Sequence, residues 1–286
     1  MKLLMLKLLT IVVLSSLSLI AAPVPTHETD TKVIGFLQKA ISPNENYTFD
    51  KVVILKKEEM KNFSGWMVYF VRIDLNLTKQ VGKKVSVNDI IFTNGSIVSK
   101  DFIDIKSGKS IKNNFSLDIE VSAYTKEHLL AGNMNAPHKL VIFSDPLCPF
   151  CMDFVPEVII DVEKNPTTFA LFYYHFPLNI HPSAPTLVKA MILAEEKGDK
   201  EIVKKVYQAV LDIKETDEKE ILKIFNETFK TNFTVEQINQ PHIVKKLAND
   251  EELAHNLMIN GTPTIFLDGK KDDSKKAYQK FIKESK

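Results

Sequence analysis

The chain has 286 residues, 44% hydrophobic and 26% charged, an ordinary globular composition with length for about two domains, each with its own core. Its 37 basic residues, of which only Arg72 is an arginine, nearly cancel 36 acidic ones and leave a net charge of +1. No basic block rises above the lysine background, so nucleic acid is not an expected partner.

Lys2 and Lys7 precede an apolar run over residues 8–20 that closes on Ala21-Ala22. This order of charge, apolar core and small residues predicts a secretory signal peptide over residues 1–22, with Ile20 an imperfect residue at the cleavage site. The rival reading is an uncleaved membrane anchor, although the run falls short of the ~20 residues that a span needs. Under either reading the bulk of the chain is expected outside the cytoplasm.

After a polar leader over residues 23–30, Val33, Ile34, Leu37 and Ile41 recur at helical spacing, and Ser42-Pro43-Asn44 should end that helix. The period then changes to two. Residues 49–55 and 66–77 read as strands, and Met67, Tyr69, Val71, Ile73, Leu75 and Leu77 give the second one a clean apolar face. Trp66, Val68 and Phe70 make part of its other face apolar as well. Deeper burial within the monomer and a subunit interface both account for that. Asn94-Gly95 predicts a hairpin within residues 90–98, and residues 102–105 are a further strand candidate ending at Ser107-Gly108. Residues 23–124 therefore read as a small α+β domain with no ionisable constellation of catalytic type. Gly132, Asn133, Asn135 and Pro137 mark residues 125–137 as a linker.

The centre of the second half is residues 141–151. An apolar run, 140–143, reads as a buried strand, and Ser144-Asp145-Pro146 stops it. Two cysteines follow, Cys148 and Cys151, and the sequence contains no others. Phe154, Val155, Val158, Ile159 and Val162 recur at helical spacing, so the cysteines sit where a strand hands over to a helix. Pro149 falls in the first turn, where its missing N–H costs nothing. Cys148 is thereby placed at a helix N-terminus, whose free N–H groups and dipole favour thiolate over thiol. A thiolate is the nucleophile of disulfide exchange, which makes Cys148 the expected attacking sulfur and Cys151, one turn on, the resolving one. As a structural staple the pair would achieve little, because a two-residue spacing closes almost no loop.

A strand over residues 169–176 comes next, then Pro177 to Pro182, and from 184 to about 257 every segment has helical character. Strand pattern returns over residues 259–267 with a turn at Asp268-Gly269, and a last helix is expected from about 273 to 283. The order β-α-β, helical block, β, turn, α describes an α/β thioredoxin-like domain over residues 138–286 with a helical insertion.

The segment Phe143-Ser144-Asp145-Pro146-Leu147-Cys148-Pro149-Phe150-Cys151 resembles the active-site entry of periplasmic thiol:disulfide interchange proteins of the DsbC/DsbG type, and Gly261-Thr262-Pro263 before an apolar strand resembles their cis-proline loop. A fainter likeness to their N-terminal dimerisation domain spans residues 91–111. The resemblance implies that Thr262-Pro263 is a cis peptide opposite Cys148 whose backbone pairs with an extended substrate. It also implies a homodimer built by the N-terminal α+β domain, misfolded exported proteins as substrates, and a membrane redox partner, either a DsbD-like reductant or a DsbB-like oxidant. No cofactor is implied. Two departures matter. His175-Phe176-Pro177 with His181-Pro182 and the helical insertion is similar to DsbA-like oxidases, and Ile142 stands where thioredoxin and DsbA-like sites carry a buried acid.

Phe150, between the cysteines, either touches substrate or merely packs. Asp145 and His175 are possible neighbours of the site, with a turn or cap role favoured for Asp145 and a structural role for His175. A zinc site would need two of His27, His128, His138, His175, His181, His242 and His255, none spaced as a ligand pair near Cys148, so no metal is expected. The sequence thus predicts a periplasmic thiol:disulfide isomerase or reductase. The alternatives are a DsbA-like oxidase and, from another class, a chaperone or metal-binding protein with incidental cysteines.

Overall fold

A computed structural model of the protein describes residues 27–41, 45–79, 84–209, 211 and 213–282. The expected signal peptide, the Ser42-Pro43-Asn44 stop and the last residues of the chain lie outside that set.

The N-terminal part places helix α1 (His27–Ile41) on a four-stranded antiparallel sheet of order β1-β2-β3-β4, with β1 at Tyr47–Glu59, β2 at Met67–Leu77, β3 at Lys84–Thr93 and β4 at Val98–Ser99. The alternating face of β2 does what its period demands: Met67, Tyr69, Val71, Ile73 and Leu75 form a core with Val33 and Leu37 of α1. The Tyr69 hydroxyl reaches 2.8 Å to Asp30, which fixes the start of the helix over the sheet. The second apolar face of β2 is covered by the same chain. Val68 and Phe70 pack with Met60, Ile90, Phe92, Trp66, Phe102, Phe115 and Met258, so intrachain burial accounts for it.

Two local expectations change here. The hairpin forms, but its loop has four residues: Phe92 pairs with Ser99 and Thr93 with Val98, while Asn94 Oδ1 accepts from the N–H groups of Ser96 and Ile97 and Gly95 takes φ +88°. Residues 102–105 are not a strand. Only an isolated bridge, Ile103 with Ser110, forms there, because Phe102 is drawn into the aromatic cluster with Trp66 and Phe92 while Ile105 is left fully exposed.

The C-terminal part is a five-stranded sheet of order β5-β7-β6-β8-β9, with β5 at Leu129–Gly132, β6 at His138–Ser144, β7 at Phe169–His175, β8 at Thr264–Leu267 and β9 at Lys270–Lys271. β6 and β7 are parallel; β5, β8 and β9 join antiparallel. Both faces are buried, one under α2 (Pro149–Lys164), α3 (Ala184–Glu196), α4 (Ile202–Ala209) and α5 (Glu218–Phe229), the other against Ile119, Ala123, Ala254 of α7 (Pro241–Asn256) and Ile259. A single short turn of helix, α6 (Val235–Ile238), lies between α5 and α7. The stretch expected as a linker therefore contains an edge strand. Its four residues are too few for a period to register, and Gly132 ends it at φ +80° with any Cβ only 2.1 Å from the Phe169 carbonyl oxygen. The connection between the two parts is instead the preceding segment, where Leu117 touches both cores and the Ile119 N–H donates to Gly269.

Two further corrections concern the end of the chain. Strand pattern over 259–267 yields a strand only from Thr264, since Met258 adopts φ 59° and the Thr262–Pro263 peptide is cis. The last expected helix is a short 3-10 turn at Ala277–Phe281, which buries Tyr278. Pro156 lies inside α2 without ending it, because Val155, Val158, Ile159 and Val162 are fully anchored beneath the helix.

Candidate active site

The cysteines stand at the end of the central strand. β6 ends at Ser144, Asp145-Pro146-Leu147 turns the chain, and Cys148 is the N-cap of α2 with φ −76° and ψ 120°, followed by Pro149 at the first helical position. The turn is held by Asp145. Its carbonyl accepts from the Cys148 N–H at 3.2 Å, and Oδ1 accepts from the Leu147 N–H at 2.7 Å. Oδ2 accepts from the Leu178 N–H at 2.7 Å and from His181 Nδ1 at 2.8 Å. Asp145 thus belongs to the site as its clamp, with both oxygens occupied by donors and no exposed surface.

Cys148 and Cys151 are free thiols, 4% and 0% exposed. Their environments drive them apart. The Cys151 side chain hydrogen-bonds the Cys148 sulfur and is the main cause of a pKa lowered to about 5; burial opposes it, and Thr262 and the N–H groups of Cys151 and Phe150 add to the lowering. Burial, then the contact with Cys148, pushes the Cys151 thiol well up, with Ser144 among the groups that oppose the rise. At neutral pH the arrangement is one thiolate facing one thiol.

Across from them lies the loop before β8. Cys148 Sγ is 3.5 Å from the Thr262 carbonyl oxygen, Pro263 follows with the cis bond, and the Thr264 hydroxyl donates to Gly261 at 2.7 Å to close the turn. The residues expected from sequence to face each other across the site are therefore brought together. Phe150 is 74% exposed, so it is displayed at the rim and not packed. His175 is buried, its ring edge meets Tyr173, and Nε2 lies 4.0 Å from Glu195.

Behind Cys151 the structure adds two tyrosines that no pattern singled out, joined to Ser144. Ser144 Oγ lies 2.7 Å from the Tyr207 hydroxyl, which lies 2.7 Å from the Tyr173 hydroxyl. Tyr207 comes from α4 in the helical block, 63 positions away from Ser144, so no local spacing could mark it. Among the described residues no group of three or more His, Cys, Asp or Glu is placed to hold a metal ion, and no helix is long and apolar enough to cross a membrane.

Residues 124–284, more than half of the chain, match the model of a family described as thioredoxin. A comparison with curated proteins finds no match. Among solved structures, the chain is similar to a thioredoxin-like oxidoreductase from Silicibacter pomeroyi, at 22% identity and TM-score 0.41, covering 51% of this chain and 87% of that one. It is similar to Proteus mirabilis ScsC at 23% identity and TM-score 0.41, covering 53% and 68%. Oxidised BdbD from Bacillus subtilis matches at 17% identity and TM-score 0.44, covering 57% and 91%.

Proposed function

The chain belongs to the thioredoxin family, and on that premise we propose that it is a thiol:disulfide oxidoreductase acting on exported proteins, with Cys148 as nucleophile and Cys151 as resolving thiol. The observation that carries this is the Cys148 sulfur at the N-terminus of α2, held as a thiolate and facing Thr262 across the cis loop. The Cys148 thiolate attacks a substrate disulfide and forms a mixed disulfide, releasing one substrate sulfur as a thiol. Cys151 then attacks the Cys148 sulfur and frees the second substrate sulfur, leaving the pair oxidised, or a substrate thiol attacks the substrate sulfur of the mixed disulfide, forming a new substrate disulfide and freeing Cys148. With the pair oxidised, the same atoms pass a disulfide to a reduced substrate. Thr262 and Pro263 would hold the extended substrate, with Phe150 offering it an apolar contact at the rim.

Of the two directions, we propose isomerisation or reduction as in DsbC/DsbG-type proteins, on the strength of the Phe143 to Cys151 motif and of an N-terminal sheet in which β1, a long strand, is an edge among the described residues and could pair with a second copy. A periplasmic location and a DsbD-like reductant complete that reading. The helical block from α3 to α7 favours the second reading, a DsbA-like oxidase with a DsbB-like partner. Cys148→Ser in the full mature chain should abolish insulin reduction while leaving the fold intact; retained activity would overturn the enzymatic reading. Acid quenching and mass-tag alkylation in the native compartment read the direction: a mostly reduced pair supports isomerase or reductase work, a mostly oxidised pair the oxidase.

A further inference from the structure

Cys151 presents a chemical difficulty that its surroundings must answer. To resolve a mixed disulfide it has to attack as a thiolate, yet it is fully buried and its thiol is pushed well up by desolvation. Ile142, on β6, is fully buried and apolar, Asp153, the nearest acid in sequence, is exposed, and Asp145 has both oxygens occupied by Leu147, Leu178 and His181. The groups that oppose the rise are the Ser144 side chain first, then the Asp145 backbone and the Thr262 side chain.

Ser144 is the first of three buried hydroxyls. It is 0% exposed, Tyr207 1% and Tyr173 4%, and the two 2.7 Å contacts link Oγ to the Tyr207 oxygen and that oxygen to Tyr173. Each hydroxyl has one proton to donate, so a row of three can point all its protons the same way, each strengthening the next. Hydrophobic side chains of equal size would fill this space without leaving polar atoms to satisfy, so a buried row of hydroxyls beside the resolving cysteine is what needs a reason.

We propose, resting on the exchange reading above, that Ser144, Tyr207 and Tyr173 form a donor chain that positions Cys151 and stabilises its sulfur as negative charge develops on it during resolution. Tyr173 donates to Tyr207, Tyr207 to Ser144, and Ser144 to Cys151 Sγ. The atoms balance without any further reagent. The Cys151 sulfur forms the new bond to Cys148, the bond between Cys148 and the substrate sulfur breaks with its electron pair leaving on the substrate, and the proton lost by Cys151 ends on that substrate thiol. The hydroxyls keep their own protons. Desolvation first, in a site that is fully enclosed, holds both tyrosine hydroxyls protonated well above the usual phenol range, so they remain donors wherever the enzyme works. The titratable groups that face the sulfur are Cys148 from its own helix, Tyr173 from β7 and Tyr207 from α4, with Asp145 and Glu195 of α3 acting on Tyr173.

The test is a rapid-mixing experiment on the full mature chain, reduced and mixed with an aromatic disulfide whose thiolate product is coloured. Cys148 attacks first and releases one coloured thiolate; Cys151 then displaces the second and closes the intramolecular disulfide. Tyr207→Phe should leave the first phase unchanged, slow the second by roughly ten- to a hundredfold, and move the pH at which the second accelerates upward. Ser144→Ala should do at least as much, and Tyr173→Phe less, since its hydroxyl lies farthest along the chain. A second phase within twofold of wild type, with an unshifted pH profile, in Tyr207→Phe would overturn the proposal. Where that variant is not folded by circular dichroism, Ser144→Ala decides by the same criteria. A wild-type chain that never forms the Cys148–Cys151 disulfide defeats the exchange reading itself, a result distinct from an unaffected second phase.

Discussion

Two aspartates are buried in the C-terminal part in almost the same manner, one beside the cysteines and one away from them. Asp145, 0% exposed, accepts from two backbone N–H groups and from His181 Nδ1. Asp250 of α7, 1% exposed, accepts from His128 Nε2 at 2.8 Å and from the His175 N–H at 3.0 Å. Each joins segments distant in sequence: Asp145 ties the turn before α2 to the loop after β7, and Asp250 ties α7 to β7 and to the entry into β5. That the same device recurs without a sulfur nearby shows what it is for. A carboxylate whose oxygens are filled by fixed donors is a latch, and its presence next to a redox pair does not make it a proton carrier.

The largest effects should come from opening either latch. Asp145→Ala and Asp250→Ala each leave buried donors unpaired and should each cost about 3 kcal/mol of stability, measured by urea unfolding of the oxidised chain. The two should part company in exchange kinetics of the folded protein. Asp145→Ala loosens the turn that carries Cys148 and should slow its attack, whereas Asp250→Ala should leave it within twofold. Equal slowing in both variants would break the distinction between a latch at the site and a latch in the frame.

The histidine partners should matter less, and unequally. His181→Ala removes one charge-assisted hydrogen bond at a part-exposed ring and should cost about 1 kcal/mol. His128 does more: Thr125 Oγ1 lies 2.7 Å from Nδ1, Asp250 holds Nε2, and the ring stacks on Tyr174 at 3.9 Å. His128→Ala should cost about 2 kcal/mol. A larger loss for His181 by the same unfolding measurement would reverse the ranking drawn from these contacts.

How much of this was legible in the sequence follows from where the determining contacts lie. The strand, turn and helix around Cys148 and Cys151 are consecutive residues with strong patterns, and so were the face of β2 and the apolar stripes of the helical block. Thr262 and Pro263 were placed opposite Cys148 through the family resemblance, and not through any spacing in the chain. Features set by distant partners were invisible. β5 is an edge strand because β7 offers it hydrogen bonds, residues 102–105 leave the strand register because Trp66 and Phe92 take up Phe102, and Tyr207 meets Ser144 only when α4 folds over the sheet. His175 lies two residues before Pro177; the pleat puts it on the same face as Tyr173, and its ring meets Tyr173 and Glu195.

The smallest expected change is the most discriminating. The Cys148 thiolate is held first by Cys151, with burial opposing and Thr262 and two helix N–H groups assisting; no carboxylate is among its causes. Alkylation of the reduced chain by iodoacetamide should therefore rise through a midpoint near about 5 and level off above it. The same depression adds stability to the reduced chain relative to Cys148→Ser. That contribution is complete above the unfolded thiol pKa of about 8.5 and is lost as pH falls through the folded value. Cys151→Ala should move the alkylation midpoint upward, because the largest stabilising contact goes. Asp145→Asn, which keeps one acceptor oxygen and the turn, should leave it within about half a unit. A shift in Asp145→Asn as large as that in Cys151→Ala would mean the aspartate charge is felt at the sulfur, and Asp145 would then differ from Asp250 in electrostatics as well as in place.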